Sequence, residues 1–430
     1  MRRSIIRGER GVELSLLIVG TLVTVAAYGL VNLGERIEIG AKVGGFALVL
    51  LGMFAGAHIV VRLTAPRADP LLLPIAALLN GIGYVVIARL DPALADSQLA
   101  WTFIGVGAFA ATLILLSDLR WVAQYRYTLA LVGVLMLMLP LIPGLGKNIN
   151  GARIWLRVGP FSIQPGEFAK IMLAAFLAGY LTDKRDLLAL SHRRVGRLNL
   201  PDLKHFGPML LALGVALLVM IFQKDLGSSL LFFTLFIVMI YVATGRAAYV
   251  FIGLALFSGG AVTAWRMFPH VQRRVTIWID PFADAKDAGF QIVEAWFAMA
   301  DGGLGGTGLG SGTPNKIPFA ATDMIFAAVG EELGLLGATA VLAAFMFFVS
   351  TGFRVAASTT DTFEKLLATG LTASLGFQAF IIIGGILRVL PLTGVTLPFM
   401  SYGGSSLISN YIVLALLIRI SSMSRPEVAS

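Results

Sequence analysis

Long apolar stretches alternate with short polar ones from end to end of this chain. Runs of about 18 to 22 residues, the length a helix needs to cross roughly 30 Å of hydrocarbon, fall at 12–33, 42–63, 71–89, 98–117, 127–144, 167–183, 207–222, 226–244, 248–268, 324–352, 366–387 and 406–421. The pattern predicts an all-α fold, a polytopic membrane helical bundle of about twelve transmembrane helices. Two long polar segments interrupt it, at 144–170 and 268–322. The second is long for a connector between packed helices and carries two amphipathic stretches, VTIWI and FQIVEAWFAMA, suited to a bilayer surface or to folding back over a cavity.

Composition agrees with the pattern: 57% of the 430 residues are hydrophobic and 13% charged, outside the range of soluble domains. The first apolar run follows MRRSIIRGER but is too long for a signal-peptide core, so it is expected to remain as a span. With a cytoplasmic N-terminus and twelve spans, 19 Lys and Arg fall inside and 13 outside, with Lys170 within a span. That bias predicts cytoplasmic termini in a bacterial cytoplasmic membrane and places both long segments on the outer face. The formal charge of +9 then suits anionic lipid headgroups, and no aromatic-interleaved basic domain points to nucleic acid. There is no cysteine, which excludes disulfides, thiolate metal sites and cysteine nucleophiles. The four His (His58, His192, His205, His270) show no metal-ligand spacing.

Chemistry concentrates where charge meets the membrane. In GLGKNINGARIWLRVGPFSIQPGEFAK, Pro165 and Gly166 break the chain before Glu167, which opens a helix with Lys170 on the same face. The pair reads either as a helix-end ion pair worth a few tenths of a kcal/mol or, with Arg153, Trp155 and Arg157, as a diphosphate site. In PFAATDMIFAAVGEELG, Thr322 or Asp323 can cap a helix at the interface, while Glu331 and Glu332 lie about 12 to 13 Å deeper. Carboxylates at that depth require a cavity or a basic partner, for which Lys170 and Arg388 are candidates. QKDLGSS sets Lys224 and Asp225 at an outward turn, and LPLTGVTLPFMSYGGSS supplies hydroxyls, Ser401 and Ser406 among them. The run GGLGGTGLGSG lacks the strand–helix context of a nucleotide fingerprint and reads as flexible backbone closing over a substrate, or as linker.

Taken in order, NGARIWLRVGPFSIQPGEFAK, QKDLGSSL, DPFADAKDAGFQIVEAW, GGLGGTGLGSG, TDMIFAAVGEELGLLG and PLTGVTLPFMSYGGSS resemble the SEDS family, the shape, elongation, division and sporulation proteins. The resemblance implies a ten-helix core at 70–422, preceded by a tail and two extra helices at 1–69 and followed by a cytoplasmic tail at 423–430. That extension, with Lys224 where most members carry Pro, is similar to actinobacterial RodA-type members. The family implies a peptidoglycan glycosyltransferase polymerising lipid II at the outer face, with a class B penicillin-binding protein as partner. Elongation and division roles both stay open.

By resemblance Asp323 matches the family's essential loop aspartate, and Glu167 and Lys170 its cavity motif, with Gly166 in place of Ser. Ile154 stands where many members carry a second Arg, and the family's Glu and His just before the Thr-Asp pair are absent from PFAATD. The implied chemistry gives Asp323 the general base role. Glu167, Lys170, Arg153, Arg157, Arg274, Lys224, Asp225, Ser401 and Ser406 would bind substrate, and Glu167 or Asp323 would also hold a divalent cation such as Mg2+ or Mn2+. A lipid II flippase and a noncatalytic cell-wall scaffold are the competing readings.

Overall fold

The structure is a computed structural model describing residues 2–34, 39–149, 152–159, 161–190, 193–195, 198–200 and 207–424. His192, His205 and the 425–430 end of the tail lie outside the described residues. Helices fall on every predicted run: α1 (Arg2–Gly34), α2 (Ile39–Thr64), α3 (Leu72–Leu90), α4 (Pro92–Leu115), the short α5 (Arg120–Gln124), α6 (Arg126–Met138), α7 (Pro165–Leu190), α8 (Gly207–Gln223), α9 (Leu226–Thr244) and α10 (Ala247–Met267). Then come α11 (Pro269–Ile279), α12 (Phe290–Gly302), α13 (Ile325–Ser358), α14 (Thr362–Ile386) and α15 (Gly404–Ser424). Among the described residues nine helices are long and apolar enough to cross a membrane, and two shorter apolar helices lie at Arg126–Leu141 and Gly207–Gln223.

Local chemistry explains where boundaries depart from the hydropathy pattern. Helix α4 starts well before residue 98 because Asp91 caps it, accepting from the amides of Ala93 (2.9 Å) and Leu94 (3.3 Å), with Pro92 preset at the first helical position. Asp361 extends the start of α14 similarly, accepting from Glu364 N at 3.0 Å. Pro140 ends the run at 127–144 early, and the chain beyond it is sheet rather than loop. Strands β1 (Gly146–Ile149), β2 (Ala152–Val158) and β3 (Phe161–Ile163) pair antiparallel in chain order. A second hairpin pairs β4 (Arg193–Val195) with β5 (Leu198–Leu200). The all-α reading therefore holds for the bundle and not for these two loops. The amphipathic stretches VTIWI and FQIVEAWFAMA lie in α11 and α12 as helix.

The chain forms two compact units. One comprises Met1–Ser117, Arg273–Arg354 and Gln378–Ser430; the other comprises Asp118–Gln272 and Val355–Phe377. In the first, α3 packs against α1 and α4, and α4 against α15. Small residues permit the close approaches: a side chain at Gly105 would overlap the Tyr411 ring. In the second, α6, α7, α8 and α9 enclose an apolar core of Leu137, Ala169, Leu173, Ala216, Val219, Met220 and Phe232. Outward side chains such as Leu22 and Val23 on α1, Phe251 and Leu254 on α10, and Met346 and Phe347 on α13 are exposed and apolar, as a lipid-facing surface requires.

Candidate active site

In the first unit the segment between α14 and α15 enters the bundle as irregular backbone, and its polar groups need partners at that depth. The helices supply them. Asn80 of α3 donates to Phe399 O at 3.1 Å, Gln98 of α4 to Ser401 O at 3.4 Å, and Gln378 of α14 to Thr396 O at 2.8 Å. Gly83 of α3 is required by contact, since a Cβ there would stand 2.3 Å from Met400 O. Ser401 then ties this segment to the turn before α13: its hydroxyl accepts from Leu397 N at 2.8 Å and donates to Thr322 O at 2.6 Å. Tyr402 N donates to Ala321 O at 2.8 Å. The turn before α13 is thus clamped to this segment at Ala321 and Thr322.

Asp323 sits on this clamp. It keeps some exposed surface while protein surrounds it densely. Its Oδ2 faces Gly394, whose absent Cβ would lie 3.4 Å away, and Gly394 has φ +74°. Arg274 of α11 approaches the same segment, its Nη1 donating to Leu392 O (3.0 Å) and Thr393 O (2.9 Å). Burial pushes the Asp323 carboxyl up to about 6, against the opposing pull of the Thr322 hydroxyl and the Arg274 charge. Helix α11 is fixed by reciprocal bonds with Arg388: Trp278 Nε1 donates to Arg388 O at 3.0 Å, and Arg388 donates to the carbonyls of Trp278 and Ile279. Trp296 of α12 donates to Ile386 O at 2.8 Å, satisfying a carbonyl at the end of α14.

The Gly-rich run is neither a flexible lid nor a linker. Helix α13 breaks at Gly334 (φ 65°, ψ −165°), and residues 303–308 fill the break. Thr307 N and Gly308 N donate to Glu331 O (2.9 Å) and Glu332 O (3.1 Å), and Leu335 N and Leu336 N to Gly303 O (2.9 Å) and Leu304 O (3.1 Å). Both Glu side chains belong to this plug. Glu331 accepts from Thr313 N at 2.6 Å, and Glu332 pairs with Arg89 of α3 at 3.3 Å. The basic partner of Glu332 is therefore Arg89, while Arg388 donates to the Trp278 and Ile279 carbonyls. Arg89 also donates to Gly310 O and Gly312 O.

In the second unit Glu167 and Lys170 form an ion pair of 2.6 Å in the first turn of α7, with side chains 7% and 4% exposed. Arg153, Trp155 and Arg157 alternate along β2 and so share a sheet face, on which both arginines are exposed. Asp225 caps α9, accepting from Ser228 N at 2.9 Å, and Lys224 is an exposed turn residue with φ 61°. The structure thus gives Asp225 a capping role at the start of α9. Ser401 and Ser406 are both buried, Ser401 bonded as above, and Ser406 Oγ accepting from Thr396 Oγ1 (2.8 Å) and Asn410 Nδ2 (3.3 Å).

A family model described as cell cycle protein, covering FtsW, RodA and SpoVE, matches residues 71–426. The chain belongs to the FtsW/RodA/SpoVE family. The peptidoglycan glycosyltransferase RodA of Mycobacterium tuberculosis (strain H37Rv) is 45% identical over 429 residues, covering 97% of this chain and 91% of that protein. That coverage reaches into the helices before residue 71. Stage V sporulation protein E of Bacillus subtilis is 35% identical, covering 83% of this chain and 98% of that protein. Among solved structures, a peptidoglycan synthase complex described as coordinating polymerization and crosslinking matches with a TM-score of 0.69 at 27% identity, over 83% of this chain and 98% of that one. Thermus thermophilus RodA matches with a TM-score of 0.58 at 25% identity, over 82% and 96%.

Family motifs account for Asp323, Glu167 and Lys170 in the sequence, but the scaffold behind Asp323 was missed there. Its signal was present: Asn80, Gln98 and Gln378 are amide side chains inside otherwise apolar helices, and such residues need a buried partner.

Proposed function

We propose that the protein is a peptidoglycan glycosyltransferase that polymerises lipid II at the outer face of the cytoplasmic membrane. The observation that carries this reading is Asp323, a partly accessible carboxylate on the turn that Ser401 and Tyr402 fasten through Thr322 O and Ala321 O, its carboxyl pushed up to about 6 by burial against the charge of Arg274. A base poised just below neutral pH is ionised when needed and still accepts a proton readily. Asp323 takes the proton of the acceptor sugar's 4-hydroxyl as that oxygen bonds to the donor's anomeric carbon. The bond from that carbon to the diphosphate oxygen breaks, and the polyprenyl diphosphate leaves with the electron pair. The proposal assigns Arg274 to the charge beside Asp323 and, from the family resemblance, gives Lys170, Arg153 and Arg157 a diphosphate-binding role within their own unit.

The residues do not fit a protein-held divalent cation. Among the described residues no three His, Asp or Glu gather, Glu167 is paired with an ammonium, and Asp323 lies within the field of the Arg274 charge. No step is routed through one. Twelve spans with both termini cytoplasmic remain the proposed topology, supported by the Lys and Arg bias. A class B penicillin-binding protein is the proposed partner, supported by the likeness to a complex that couples polymerization and crosslinking.

Purified full-length protein given lipid II tests the reading. Wild type is expected to make glycan strands, and Asp323→Ala to be slower by roughly 100-fold or more. Translocation of lipid II across vesicles by either protein without polymer would replace this reading with a flippase.

A further inference from the structure

The segment facing Asp323 carries a polar atom that the fold leaves unused. Among the described residues the Thr393 Oγ1 is buried and has no hydrogen-bond partner. Buried hydroxyls are nearly always bonded, because one withdrawn from water without a partner costs free energy. The hydroxyls of Thr372, Ser374 and Tyr411 are likewise buried without a partner, but they lie within α14 and α15, whereas Thr393 lies in the irregular segment facing Asp323. The same residue's carbonyl is bound by Arg274 at 2.9 Å, and in the neighbouring stretch Thr396 and Ser401 have their hydroxyls bonded. The next residue, Gly394, has a left-handed φ of +74°, and its missing side chain leaves the approach to Asp323 Oδ2 open. One peptide therefore carries both the unpaired hydroxyl and the gap before the carboxylate. Arg274, fastened to that peptide's carbonyl, also bears on the charge of Asp323.

We infer that Thr393 is a substrate-binding residue whose hydroxyl bonds the acceptor amino-sugar, at a ring hydroxyl or its acetamido group, and so orients the attacking oxygen toward Asp323. The inference rests on the glycosyltransferase reading above and names a contact within that site. A hydroxyl can donate or accept, which suits a ring bearing both kinds of group. Nothing covalent is asked of it: its part is to hold the acceptor while the proton passes to Asp323.

A binding role and a packing role predict opposite responses to substitution. Where a side chain's hydrogen bond holds the fold together, its loss lowers stability. Removing an unpaired buried hydroxyl while keeping the shape leaves the free protein unchanged or more stable. Thr393→Val and Thr393→Ser in the full-length protein are therefore compared with wild type for melting temperature and for kcat and KM with lipid II. The expected result is an unchanged or raised melting temperature for Thr393→Val with kcat/KM lower by roughly tenfold, and near wild-type kinetics for Thr393→Ser.

Thr393→Val with kinetics within twofold of wild type would overturn the inference while leaving the function standing. So would a lowered melting temperature in Thr393→Val that accounts for its lost activity, with Thr393→Ser lowered equally. Absence of polymerisation by wild type, or full activity in an Asp323→Asn control, would remove the glycosyltransferase reading and this contact with it.

Discussion

Asp323 depends on a neighbour with no side chain. At Gly394 an alanine would occupy a left-handed φ, costing about 1–2 kcal/mol, and its methyl would sit 3.4 Å from Asp323 Oδ2. Gly394→Ala is expected to lower kcat/KM at least tenfold while changing the melting temperature only modestly; equal activity would show that substrate does not approach from this side. Glu167 and Lys170 set a different test. Removing one partner of a buried ion pair costs about 3–5 kcal/mol, whereas replacing both with apolar or neutral groups is far milder. Glu167→Gln and Lys170→Met should each lower the melting temperature more than the double variant does. If the double variant folds like wild type and yet fails to polymerise lipid II, the pair acts in chemistry as well as in structure. If it polymerises normally, the diphosphate role given to Lys170 falls.

At the scale of elements, the helices were legible because their apolar runs match the thickness of a bilayer, and caps such as Asp91 with Pro92 decided the ends. The sheet at 146–163 was not, since ARIWLRV alternates its side chains but its partners GKNI and FSI, four and three residues long, are too short to show a period. The carboxylates Glu331 and Glu332 were legible as needing partners, but pairing across 243 positions with Arg89 is a product of tertiary packing. The Gly-rich run misled for a physical reason: glycine serves close approach as readily as flexibility. A Cβ at Gly306 would stand 2.2 Å from Glu332 O. Gly306→Ala should accordingly lower the melting temperature markedly, with a loss of about 2 kcal/mol in stability. An unchanged melting temperature with altered kinetics would restore the reading as a mobile lid.

For the molecule as a whole, the family and its bundle were readable from motifs in order. The clamp that holds Asp323 was not, because it joins α3, α4, α14 and two irregular segments that no local pattern connects. Topology is open to direct test, since the chain has no cysteine and single ones can be introduced. Lys224 and Thr360 are both exposed. Lys224→Cys should react with a membrane-impermeant maleimide in intact cells, and Thr360→Cys only after permeabilisation; the reverse pattern would invert the orientation and place Asp323 on the wrong side for lipid II outside.

The central claim is that the ionised Asp323 carboxylate removes a proton during glycosyl transfer, and the pH dependence of lipid II polymerisation tests it most directly. Because burial raises this carboxyl to about 6, the base is lost as pH falls through that value. The account predicts that kcat/KM is level above neutrality and drops about tenfold per unit below about 6, with residual Asp323→Asn activity lacking that limb. A wild-type profile flat between pH 5 and 7, or an Asp323→Asn protein as fast as wild type, would contradict it.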